Sequence, residues 1–388
     1  MLDIHAQTVY IDTAVYQRTN CAARLSRLMA RITCDDVREC DATSWRAIFD
    51  VGRRRHGKDG FDGGPVLAFT TWDENRTVWF YHWRDEAAAH QGVCQPGLEL
   101  NNVDGCVFRC AYCGFGRFIV FYLDVERFID GFDDVFAKYP DQRLFKYSNM
   151  TDLPAFEPEL DTVGPVVETF AKQHDRYVML FTKSDNVHFL ADLDHRGHTI
   201  VSWSLTSDTI SRLIDRRTAT LDERIAAMKF AQDAGYIVRA RLSPVIPVKN
   251  WRDEYTRLFE KLYAEAKPDI VTLELVGWLP YSDLKQIISA DLLDSDFLDE
   301  AKVAADELSG IPWGPYTQRQ HEEIYRHCIE TSRHISPDTP VSVCHGTAAT
   351  WQNLGTDMPS MSPGNYLCNC GPFSTPGGKL YDELITVG

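Results

Sequence analysis

Between about residues 95 and 275 the chain alternates short apolar runs with helix-period segments, and this alternation restricts its folding more than any other feature. Strand candidates are Leu98 to Asn101, Arg143 to Asn149, Tyr177 to Thr182, Thr199 to Leu205, Ile237 to Ser243 and Ile270 to Leu275. The helices between them include Val163 to Gln173, the amphipathic Leu221 to Ala234 stopped at Gly235, and Tyr255 to Ala266. Strands alternating with helices build a parallel sheet from βα units. Six units predict an α/β fold with an open, partial (β/α)6 barrel of TIM type, whose active groups gather at the C-terminal ends of the strands.

Period-2 alternation orients those strands. Ser202, Ser204 and Thr206 share one face opposite Val201, Trp203 and Leu205, so the polar face points into the barrel. Arg239, Arg241 and Ser243 share the interior face of the next strand. Buried charges need partners. Glu274 on the following strand and an anionic ligand are equal candidates.

The flanks read differently. Residues 1–92 form a leading α/β region with strands Thr8 to Ile11 and Pro65 to Phe69 and a helix Cys21 to Met29; residues 93–285 hold the barrel. The run RRRHGKDGFDGG (53–64) reads as a solvated loop, and no G-x-x-x-x-G-K-[ST] follows it. In residues 286–388 a helix (Gln318 to Ser332) and a strand (Val341 to Cys344) precede a Pro/Gly/Ser-rich tail expected to cap the barrel mouth.

Composition narrows the setting. Across 388 residues 44% are apolar, enough for a real core, and the formal net charge is −16. No global basic field exists to gather phosphates, which argues against nucleic acid as partner and for a small-molecule substrate. Eleven cysteines, an odd number, with no signal-peptide pattern at the start, predict reduced thiols in a cytoplasmic protein. No apolar stretch reaches the roughly 20 residues that span a bilayer.

Cys106, Cys110 and Cys113 stand in GCVFRCAYCGFGR, a C-x3-C-x2-C spacing just after the first barrel strand. Cubane iron–sulfur clusters are held by cysteine thiolates, so three of them leave one iron open to another ligand. Zinc is the competing reading, closed by a fourth ligand such as Cys94 or a distant His, in a binding or redox protein without turnover.

This spacing, with Tyr112 directly before the third Cys, resembles the cluster motif of radical S-adenosylmethionine (SAM) enzymes. The order of KYSNMTD (146–152), FTKS (181–184), VSWSLTSD (201–208), TATLDERIAAMKFAQDAGYIVRARLSPVIP (218–247), TLELVGWLP (272–280) and SVCHGTAATWQNLG (342–355) resembles the spore photoproduct lyase family. The resemblance implies a [4Fe–4S] cluster on the three cysteines whose open iron binds SAM. It implies reductive cleavage to a 5′-deoxyadenosyl radical, and an electron donor such as flavodoxin or ferredoxin. It places Thr151 and Asp152 near the SAM amino group and ribose, Lys183 at its carboxylate and Ser204 in the same pocket, with Ser202, Arg239 and Arg241 as further cofactor-facing candidates. Tyr112 is retained beside the cluster, where packing on the adenine is its simplest role.

Three departures stand against repair of thymine dimers. The family's hydrogen-returning cysteine after the second strand is Asn149 here, its tyrosine after the third cluster Cys is Gly114, and its His-Arg pair is replaced by Gly277, Trp278 and Leu279. Cys368 and Cys370 on the tail, and Cys344, are candidates for a relocated hydrogen donor, for ligands of a second cluster, or for plain buried thiols; His345 is a candidate base. The expectation is a radical SAM enzyme acting on a small polar metabolite in a biosynthetic rearrangement, decarboxylation or C–C bond-forming reaction. The alternative is a spore photoproduct lyase-type repair enzyme with a relocated donor.

Overall fold

A computed structural model describes all residues except 1, 42–63, 73–78, 82–91, 96, 116–117, 278, 312–313, 345, 356, 359–360, 363, 379 and 381–388. The loop 53–63, Trp278 and His345 therefore lie outside the described residues. The leading residues supply strands β1 (Ile4–Asp12), β2 (Ile32–Cys40), β3 (Val66–Thr70) and β4 (Trp79–Tyr81). Around the cysteine trio come β5 (Gly97–Leu100), β6 (Val103–Asp104), β7 (Arg109–Cys110) and β8 (Phe118–Tyr122). The remainder are β9 (Leu144–Tyr147), β10 (Tyr177–Thr182), β11 (Thr199–Leu205), β12 (Asp215–Arg216), β13 (Ile237–Val245), β14 (Val271–Leu275) and β15 (Val341–Val343).

The barrel sheet runs β15-β14-β13-β11-β10-β9-β5-β4. Every neighbouring pair from β5 to β15 is parallel, and β4 closes the other edge antiparallel to β5. The six expected strands are present, and Val341–Val343, expected in the cap, pairs with β14 as a seventh parallel strand. A second sheet, β2-β1-β3-β8-β6, is built from the leading residues together with β6 and β8 from the far side of position 92.

Alternation sets which face is wet. Val201, Trp203 and Leu205 lie fully buried in the main core between sheet and helices, whereas Leu144, Met179, Phe181 and Ile200 form a separate apolar patch inside the barrel. Thr220 and Glu223 form a capping box at the start of the helix Leu221–Asp233, and Gly235 at φ +90° ends that turn. Among the described residues no helix is long and apolar enough to cross a membrane.

The tail corrects an expectation. It crosses the N-terminal ends of the barrel strands: Arg143 and Leu144, at the start of β9, donate their backbone N–H groups to Pro372 O at 2.9 and 3.0 Å. Arg239, low on β13, donates to Asn369 O at 2.7 Å and Ser374 Oγ at 2.9 Å. The tail is thus the floor of the barrel and does not cap its mouth. A buried guanidinium needs acceptors, and the carbonyls of this irregular segment supply them.

Candidate active site

The cysteine loop sits over the C-terminal ends of the strands. Gly105, at φ +88°, makes the turn into it, and any Cβ there would strike the Phe118 carbonyl. Cys110 lies in β7, opposite Asp215 of β12, and Ala111 N–H donates to Ile214 O at 3.1 Å. Cys113 N–H turns back to Cys110 O at 3.0 Å, which folds the third thiol toward the other two.

Beneath the loop lies a network centred on Asp215, fully buried. Its carboxylate accepts from Lys183 Nζ (3.0 Å), Arg224 Nη2 (3.0 Å), Thr206 Oγ1 (2.8 Å) and the Tyr112 hydroxyl. Burial alone would raise its pKa, but Lys183 and Arg224, helped by Tyr112 and Thr206, hold it well below the usual carboxylate range. Lys183 Nζ also donates to Tyr112 Oη at 2.9 Å and to Ser243 O at 3.1 Å, so each of its three N–H groups has an acceptor.

Asp152 occupies the neighbouring position, accepting from Lys183 N–H at 2.6 Å and Thr182 Oγ1 at 2.9 Å. Burial nevertheless lifts its pKa to about 6. Its charge reaches Cys106, whose thiol is pushed well up by burial first and Asp152 second. Burial raises Cys110 and Cys113 as well. Thiols of this kind ionise when a metal takes the proton's place.

The structure thus brings Cys106, Cys110, Cys113, Tyr112, Thr151, Asp152 and Lys183 to one end of the barrel. Ser204 faces the interior one step below Thr206, and Ser202 lies a layer deeper. The hydroxyls of Ser148, Thr151, Ser202 and Thr272 are buried without a hydrogen-bond partner. Arg241 pairs with Glu274 at 2.5 Å, and Lys146 with Glu99 at 2.6 Å, so the lumen carries two internal ion pairs.

Other candidates go elsewhere. Arg239 is bound to Asp269 (2.8 Å) and to the floor, four residues or about 13 Å below Ser243, and does not reach the upper site. Cys368 and Cys370 stand on the packed floor, with no flexible arm to carry them upward. Cys94 is beside Cys370, Lys146, Glu274 and Arg241, and so is no fourth ligand for the trio. Tyr112 is fixed through its hydroxyl to Asp215 and Lys183.

Asp215 and Arg224 escaped the sequence reading. In SRLIDRRTA the aspartate looks like part of an exposed charged turn, and nothing periodic marks it. Arg224 did carry a signal: it shares the helix face of Leu221, Ile225 and Met228, where a charge is out of place unless it is paired inside.

Residues 98–325 match the family model described as spore photoproduct lyase, more than half of the chain and all of the network just described. The chain belongs to the spore photoproduct lyase family. It is 26% identical over 244 residues to the spore photoproduct lyase of Bacillus subtilis (strain 168), covering 58% of this chain and 70% of that one. It is 23% identical over 178 residues to the Clostridium acetobutylicum protein of the same name, covering 44% and 53%. A solved spore photoproduct lyase variant with bound AdoMet and dinucleoside spore photoproduct superposes with a TM-score of 0.65 at 16% identity, over 88% of this chain and 98% of that one. A second solved structure, with the dinucleoside spore photoproduct alone, gives the same TM-score and coverage. These likenesses show the fold, a radical SAM partial barrel.

The family is one of radical SAM lyases, and its cofactors are a [4Fe–4S] cluster and SAM. The residues fit. Three thiols on one glycine-turned loop, with Cys106 accepting from Phe108 N–H and Cys113 from Phe115 N–H, form a cluster-type donor set that leaves one position open. The zinc reading falls with the family assignment.

Proposed function

We propose that the enzyme is a lyase of the spore photoproduct type, acting on a cross-linked dinucleotide lesion. The family match across 98–325 carries this reading, because it includes the cysteine loop, Lys183 and the whole Asp215 network. The relatives bearing the lyase name support it further, and none of them points to a biosynthetic metabolite.

Cys106, Cys110 and Cys113 would hold the cluster, which together with SAM supplies a 5′-deoxyadenosyl radical. The chain's own residues do the positioning. Asp152 and Thr151 offer acceptors to an ammonium group and hydroxyls, and Lys183 offers a cation to a carboxylate. Of the three acceptors that Lys183 now serves, the neutral Ser243 carbonyl is the one most cheaply exchanged for a ligand carboxylate. Asp215 keeps Lys183 and Tyr112 aimed at that place, and Ser204 lines the lumen below. Asn149 holds Glu99 through its amide at 3.2 Å and has no thiol hydrogen to return, so the hydrogen source in this enzyme lies elsewhere.

The test is anaerobic reconstitution and reduction with SAM and the dinucleoside spore photoproduct. Release of the free nucleosides, dependent on the three cysteines, is the expected result. Formation of 5′-deoxyadenosine with the lesion left intact would overturn the substrate assignment. It would favour the second reading, a small polar metabolite, for which the Lys146–Glu99 and Arg241–Glu274 pairs in the lumen speak.

A further inference from the structure

The barrel lumen above the tail draws four cysteines from three distant parts of the chain. Cys94 lies in the loop ahead of β5, Cys344 directly follows β15, and Cys368 and Cys370 are on the tail. Their surroundings are tied together by the backbone. Val93 N–H donates to Gly346 O at 2.9 Å, joining the Cys94 loop to the chain beyond Cys344. Ser342 Oγ donates to Leu367 O, joining β15 to the tail. A Cβ on Gly97 would lie 2.9 Å from Cys370 O, so the tail lies directly on the start of β5. The thiols are neighbours: Cys368 and Cys370 flank Asn369, and Cys94, Cys344 and Cys370 are close enough for the charge of each to act on the others. All four are free thiols.

A second observation points to a ligand here. Asn369, between Cys368 and Cys370, is 3% exposed, yet neither its Oδ1 nor its Nδ2 has a hydrogen-bond partner. The Tyr366 hydroxyl is likewise buried without one. The Tyr366 hydroxyl, near enough to all four thiols for their charges to act on it, is a donor of the kind that the inorganic sulfides and thiolate sulfurs of a cluster accept from. Lys146 and Arg241 lie next to Cys370, each already paired with a carboxylate, Glu99 and Glu274, so the thiolate charge of such a site would be balanced by the iron itself.

We propose that Cys94, Cys344, Cys368 and Cys370 hold a second [4Fe–4S] cluster in the barrel lumen, over the tail. Four thiolates close a cubane, in contrast with the open trio at the mouth. Among the described residues no three His, Cys, Asp or Glu side chains are gathered into a ready metal site. That holds for Cys106, Cys110 and Cys113 too, which serve a cubane in this family. A cubane spreads its ligands over four iron corners. The proposal does not depend on which substrate the upper site takes.

The experiment is iron counting on the full chain after anaerobic reconstitution with ferrous iron and sulfide. The wild type is expected to hold about eight irons per chain, and the triple variant Cys106→Ala/Cys110→Ala/Cys113→Ala about four. The triple variant should keep a cubane paramagnetic signal after reduction, and SAM should not alter it. Adding Cys94→Ser, in the loop rather than the packed tail, should remove that remaining signal. A folded triple variant that binds no iron, or that binds about one zinc in its place, overturns the proposal.

Discussion

Lys183 shows how one ammonium can serve the fold and a ligand at once. It bridges Tyr112, Asp215 and the Ser243 carbonyl, and so ties the cysteine loop to β10 and β13. Charge-assisted hydrogen bonds contribute about 1.5–3 kcal/mol each. Lys183→Ala should therefore weaken SAM binding by roughly ten- to a hundredfold while iron content stays near normal. Calorimetric titration checks it, and unchanged affinity would remove Lys183 from the site. Asp215 is a positioning residue, and its loss exposes more. Asp215→Ala strands Arg224, fully buried, beside a second cation. Breaking a buried pair from one side costs about 3–5 kcal/mol, so the urea midpoint should drop sharply. Arg224→Ala should cost a similar amount, whereas Cys110→Ala should leave the midpoint almost unmoved and abolish both the cluster at the mouth and 5′-deoxyadenosine formation.

At the scale of elements, Glu157 illustrates a helix start held by a carboxylate. It accepts N–H groups from Asp161 (3.0 Å), Thr162 (2.9 Å) and Val163 (3.0 Å) at the head of the helix Val163–Phe170. Burial still outweighs those bonds and lifts its pKa to about 7. A carboxyl with a raised folded-state pKa contributes stability that is complete below the unfolded value and lost as pH rises through the folded one. Between about pH 4.5 and 7 the wild type should thus lose on the order of 3 kcal/mol relative to Glu157→Gln, whose side chain does not titrate. Urea unfolding of both proteins at pH 5 and pH 7.5 measures the difference; parallel behaviour would refute it. Elements of this kind differ in how far they can be read from sequence. β10 and β11 have the limits that their apolar runs mark out, because each is a local pattern. β13 runs to Val245, past the expected Ser243, and the helix Trp251–Glu265 begins four residues before Tyr255. Both ends are settled by contacts between the two elements, such as Ile246 N–H on Tyr255 Oη, rather than by the pattern inside either one. The tail was the least legible, since its place depends on Arg239, 130 residues away, needing the carbonyl of Asn369.

For the whole molecule, the decisive quantity is charge. A net −16 leaves no broad positive field to draw in a duplex, while the lumen pairs its own cations with Glu99 and Glu274. A lesion-reversing enzyme built this way must recognise the cross-linked bases in the barrel and gain little from the flanking backbone. Each neutralised phosphate steepens the dependence of log affinity on log salt by about 0.9 for duplex and about 0.7 for single strands. With one or two phosphates held at the barrel mouth, the slope for a lesion-bearing oligonucleotide should stay below about 2 in magnitude. Its affinity should also exceed that for the isolated dinucleotide only slightly. Fluorescence anisotropy across a salt series gives both numbers. A slope near 5 would reveal a basic groove that engages the backbone and make the duplex a true partner. A shallow slope with tight dinucleotide binding would place specificity in the lumen, which Ser202, Thr272 and the two ion pairs line.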